Sequence, residues 1–161
     1  MSNAEGDREV SAYTESQIIM TTVRLVAPFS LTYGLFLMFH SADSSGGGFQ
    51  GGAIAGATVL MIAFAFGIEP TRDWVKNQTL VLMTAGGVVM FALIGLIPML
   101  FGDAFLAHPV FKKEFGIKTK YALEGVEILG IAPIVAGIVT GLFFVIASGF
   151  TAEDEEGATD D

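Results

Sequence analysis

Residues 79–101 read T-L-V-L-M-T-A-G-G-V-V-M-F-A-L-I-G-L-I-P-M-L-F, 23 consecutive residues without a charge. At about 1.5 Å per residue a helix of this length reaches roughly 34 Å, enough to cross a hydrocarbon core of ~30 Å. Three further apolar stretches accompany it: Ile18–Phe39 with 22 residues, Gly52–Ile68 with 17 and Leu123–Ala147 with 25. Three of the four are long enough alone, and the second can borrow residues from the glycine-rich segment before it. The fold class this predicts is an all-α integral membrane protein with four transmembrane helices and a glycine-rich loop between helices one and two.

Composition agrees. Apolar residues make up 52% of the 161 residues and charged ones 16%, against about 25% in an ordinary soluble domain. The mean hydropathy is +0.63. The chain has no cysteine, hence no disulfide, iron–sulfur cluster or thiol nucleophile, and only two histidines. No metal, no cofactor and no catalytic residue is expected, and the chain does not read as an enzyme. Its net charge of −9 lies on its tails, because residues 18–152 hold seven acids and seven bases. Residues 153–161 hold six acids and no base. Without a basic stripe, no nucleic acid is expected as a partner; the bilayer is.

The organisation that follows is an acidic N-terminal tail over 1–14, a membrane domain over 15–150, and an acidic, disordered tail over 151–161. The first apolar run is preceded by acids, which suits a span better than a cleavable leader. Thr14-Glu15-Ser16-Gln17 fits a capping box. Pro70-Thr71-Arg72-Asp73 reads as a solvated, locally ion-paired turn together with Glu69, with Trp74 at the interface. Pro109 and Gly116 break the long link from Gly102 to Ala122. Arg8, Arg24, Arg72 and Lys76 on one side balance Lys112, Lys113, Lys118 and Lys120 on the other, so charge assigns no orientation. Gly52-x-x-x-Gly56, Gly86-Gly87 and Gly137-x-x-x-Gly141 suit close helix packing, within the chain or onto other subunits.

The segment after helix one runs His40-Ser41-Ala42-Asp43-Ser44-Ser45-Gly46-Gly47-Gly48-Phe49-Gln50-Gly51-Gly52. Its G-x-G-x-x-G match is not a dinucleotide fingerprint, because it follows a 22-residue apolar run and not a strand. Five glycines in seven positions permit positive φ and tight backbone contacts, so the segment can dip into the membrane under cover of protein, the alternative being a flexible surface loop. Phe49 and Gln50 can anchor it.

Thr22 to Pro28, Tyr33-Gly34, His40 and Gly46-Gly47-Gly48-Phe49-Gln50-Gly51-Gly52 together resemble the B subunit of Mrp-type multisubunit sodium/proton antiporters. They also resemble the related subunit of archaeal membrane-bound hydrogenase complexes. The family's loop is roughly H-G-H-x-S-P-G-G-G-F-Q-G-G; this chain departs from it at Ser41, Ala42 and Ser45 and lacks the second loop histidine. The resemblance spans about residues 15–150. It implies a small accessory, multi-pass subunit in a prokaryotic plasma membrane, with other membrane subunits as partners and sodium and protons as transported ions. The alternatives are the ion-translocating part of a hydrogenase-type complex, a pure scaffold, or a stand-alone carrier, which would usually show internal repeats.

Ionisable residues inside or beside the spans are candidates for the ion path. The 15 residues from Leu25 to Phe39 cover about 22 Å, so Arg24 either snorkels or is buried with a partner. Pro28, one turn on, frees the Arg24 carbonyl and can kink the helix. Glu124 and Glu127, three apart, are expected on one helix face, as an oxygen pair for a hard cation or as interfacial charges at a helix start. His40 belongs to the residue type suited to relaying protons near neutral pH.

Overall fold

The computed structural model describes residues 17–40 and 46–157. Among the described residues seven α-helices follow one another: α1 (Gln17–Phe39), α2 (Gly48–Phe66), α3 (Ile68–Trp74), α4 (Asn77–Leu100), α5 (Pro109–Phe115), α6 (Thr119–Gly125) and α7 (Ala132–Gly157). A π-helical turn, Val126–Ile131, joins α6 to α7 without a break. Among the described residues four segments are long and apolar enough to cross a membrane: α1, α2, α4 and the continuous run Thr119–Ser148. The fold is all-α, with no strand among the described residues. Helices are what an apolar chain must form in lipid, where each backbone polar group needs an internal partner.

Connections follow local chemistry. Gly67, at φ 101°, ends α2 and starts α3 with a single residue. Pro109 opens α5, where a missing N–H costs nothing, and Gly116 closes it in the left-handed region at φ 69°. The residues expected as a solvated turn, Pro70 to Asp73, form the middle of α3. The N-terminal tail and most of the capping box lie outside the described residues. So do residues 158–161, while α7 runs on to Gly157.

The spans neighbour one another in the order α1, α2, α7, α4. The inner pair, α2 and the α7 span, buries more of itself than the outer α1 and α4. Two hydroxyls join α1 to α2 near mid-membrane. Thr58, 1% exposed, donates to the Ile54 carbonyl and accepts from Ser30 at 2.8 Å. A small cluster of Val23, Ala27 and Ala65 with Met61, Ile62 and Phe66 closes the same interface.

Candidate functional site: the glycine turn and Glu127

Only Gly46 and Gly47 of the glycine segment lie in the loop between α1 and α2; from Gly48 on the segment is helical. Gly46 and Gly47 lead directly into α2, whose first turn is Gly48-Phe49-Gln50-Gly51. None of Gly46 to Gly52 has positive φ; among the described residues only Gly67, Gly102 and Gly116 do among glycines. These glycines are required by proximity, not by backbone conformation. A Cβ on Gly48 would overlap the Glu127 carbonyl oxygen. One on Gly52 would lie 2.6 Å from the Ala132 carbonyl oxygen, and one on Gly56 2.9 Å from Val139 Cγ1. Spaced four apart, these three form one strip of α2 pressed on the π turn and α7. Gly51 turns the other way, where a Cβ would come within 2.7 Å of the Gly34 carbonyl oxygen on α1. Phe49 and Gln50 point out of the bundle and are exposed.

A polar contact joins the same elements. The Gly48 N–H donates to Glu127 Oε2. A helix start has N–H groups without intrahelical partners and a partial positive charge, and Glu127 supplies the matching anion. The carboxylate is half-buried, and its second oxygen has no hydrogen bond among the described residues. Gly47, buried beside it, leaves little room for a side chain, since a Cβ would sit 3.1 Å from Glu127 Oε2.

Glu127 lies in the π turn. Such a turn holds one residue more than an α-turn and is found often at functional sites. Here it is wedged on two sides. Glu127 meets α2, while Gly130 meets α4, its carbonyl oxygen 2.8 Å from where a Cβ on Gly87 would stand. The fourth span, Thr119–Ser148, is therefore not one uniform α-helix, and its two carboxylates do different things. Glu127 caps α2. Glu124, its side chain 13% exposed, lies 3.9 Å from Lys120 Nζ one turn earlier.

The remaining candidates lie apart from this site. Arg24 is exposed on α1, with its guanidinium 5.2 Å from the centre of the Phe66 ring. Phe66 ends α2 and Gly48 begins it, so Arg24 and Glu127 are separated by about 27 Å of helix and cannot pair. Pro28 is exposed, and its carbonyl accepts from the Thr32 hydroxyl at 2.7 Å. His40, at the end of α1, stacks on Phe36 at 4.3 Å with Nδ1 3.1 Å from that residue's carbonyl oxygen. Ser41 to Ser45 lie outside the described residues.

Sequence reasoning missed the Ser30–Thr58 pair and the hydrogen bond from Arg72 Nη1 to Ser148 Oγ at 3.0 Å, which ties α3 to α7. It also passed over His108, whose Nε2 is buried without a hydrogen-bond partner. A polar residue within an apolar run is the signal that could have found Ser30 and Thr58.

Comparison with known proteins places this architecture. A family profile described as a domain related to the MnhB subunit of Na+/H+ antiporter matches residues 18–151. Proteins carrying the antiporter-subunit name mnhB2 from Staphylococcus aureus strains Newman, USA300 and COL are each 32% identical over 95 residues. That stretch is 58% of this chain and 67% of theirs.

Proposed function

The chain belongs to the MnhB family of Na+/H+ antiporter subunits, and from that premise we propose that it fixes the helices around one ion-facing carboxylate, Glu127. It is an accessory membrane subunit of an antiporter complex, a transporter component working with other membrane subunits in the prokaryotic cell membrane. Sodium and protons are the ions the complex exchanges. This chain contributes one oxygen-bearing anion to their route.

The observation that carries the reading is the division of labour within the Glu127 carboxylate. One oxygen is held by the Gly48 N–H, and the other has no protein partner among the described residues. A fixed carboxylate with one available oxygen suits a hard cation or a proton arriving from a neighbouring subunit. Glu124 lies beside a lysine and serves as an interfacial charge. Arg24 and Pro28 lie within α1 and His40 at its end, all apart from Glu127.

The test holds assembly constant. Glu127→Gln keeps an oxygen that can accept from Gly48 and removes the charge. In vesicles containing the assembled complex, antiport should fall at unchanged complex abundance, with altered sodium dependence. Glu124→Gln should leave transport near wild type. A pure scaffold would give normal antiport in both. Purification in mild detergent separates the remaining alternative: large multi-helix subunits should accompany the chain, whereas a hydrogenase-like subunit in their place would contradict the antiporter assignment.

A further inference from the structure

At the other end of α2 the chain forms a half-open cavity of about 460 Å³, within the roughly 300–1,000 Å³ of small-molecule sites. Phe64, Ile68 and Ala147 give it apolar walls, and Glu69, Arg72 and Ser148 give it a polar rim. Its level in the membrane follows from its neighbours. It lies where α2 ends and where the apolar span Thr119–Ser148 ends, next to the helix that carries the exposed Trp74. Tryptophan favours the headgroup level of a bilayer.

The rim has an unusual charge arrangement. Glu69 and Arg72 are three apart on α3, a spacing at which opposite charges commonly pair. Among the described residues no ion pair joins them. Arg72 instead reaches across to α7, where Ser148 accepts from it and donates in turn to the Phe144 carbonyl at 2.7 Å. A guanidinium has five N–H donors, so several remain for a ligand. The cavity thus offers an anion acceptor site and a cation acceptor site side by side. Phe64, on the cavity's apolar wall, meets Phe143 of α7 edge to face at 5.2 Å, so apolar surface continues from the cavity onto α7.

We propose that this cavity binds the headgroup of a zwitterionic aminophospholipid. The phosphate lies on Arg72, the primary ammonium on Glu69, and an acyl chain runs along Phe64 and Phe143. A purely anionic lipid would bring its charge against Glu69. A quaternary ammonium would offer Glu69 no N–H. A primary ammonium meets both demands, and the apolar surface selects a lipid over free phosphate.

The test is native mass spectrometry of the delipidated, assembled complex, counting phospholipid retained on this subunit after release. Phosphatidylethanolamine, phosphatidylcholine and phosphatidylglycerol are supplied separately, and again with excess inorganic phosphate. Wild type should retain phosphatidylethanolamine over the other two by about tenfold, the worth of one charge-assisted contact. Inorganic phosphate should not displace it. Arg72→Gln should lose the adduct and Arg72→Lys should keep it. Glu69→Gln should still bind phospholipid but no longer distinguish ethanolamine from choline headgroups. Displacement by inorganic phosphate would overturn the lipid assignment. Equal retention of all three lipids by wild type, or adducts unchanged in Arg72→Gln and Glu69→Gln, would overturn the site.

Discussion

The two ends of α2 meet the same neighbouring span in opposite ways. At its start, Gly48, Gly52 and Gly56 let the backbone rest on the π turn and α7, with no room for a methyl group. At its end, Phe64 meets Phe143 edge to face and leaves a cavity behind it. Lipid provides little hydrophobic drive between helices, so close packing has to come from shape. Small side chains bring backbone dipoles and the Glu127 carboxylate into direct contact and fix one register. Rings hold the helices together while leaving space that a ligand can enter. The contrast assigns a rigid, charge-bearing end and an open, ligand-accepting end to a single helix pair.

The sharpest way to break this contrast is to add one methyl at the closed end. Gly48→Ala and Gly52→Ala should each destabilise the chain by about 1–3 kcal/mol through overpacking, and more where backbone must move. Complex abundance and thermal stability in detergent should both fall. Gly86, whose Cβ would meet nothing within 4 Å, is the control, and Gly86→Ala should be neutral in this chain.

Next in size is the cap. Glu127→Ala removes a charge-assisted hydrogen bond to the Gly48 N–H and should cost about 1.5–3 kcal/mol. Glu127→Gln should recover about half of that loss, because a neutral acceptor bonds roughly half as strongly as a charged one. Amide exchange in the first turn of α2 reads the difference, because the Gly48 and Phe49 amides should lose protection in the alanine variant first.

At the open end the effects should be smaller and of another origin. Gly67→Ala forces a side chain into positive φ and should cost on the order of 1 kcal/mol, seen as a lower Tm without loss of assembly. Smallest of all is Arg24→Leu. An exposed cation–π contact contributes about 0.5–1 kcal/mol, and Arg24→Lys should retain much of it. A collapse of assembly on Arg24→Lys would instead show that Arg24 pairs with a carboxylate on another subunit.

The four spans were legible in the sequence because length and hydropathy alone decide them. Glu127 was legible as a charge beside a span. What it touches was not. Glycine is a poor helix former in isolation, so Gly46 to Gly52 reads as a loop. In the bundle the absence of a Cβ allows backbone approach, and that gain outweighs propensity. The π turn left no trace either, because one extra residue in a uniformly apolar run changes no visible period. The Glu69–Arg72 spacing suggested a local pair, and only the position of Ser148, 76 residues further on, redirects Arg72.

The most direct test of the central claim is difference infrared spectroscopy on the assembled complex as sodium and pH are varied. Wild type should show a carboxylate band that shifts with sodium or with protonation. That band should be absent from the Glu127→Gln complex and retained in Glu124→Gln. Identical difference spectra for wild type and Glu127→Gln would remove Glu127 from the ion route and reduce its role to capping α2.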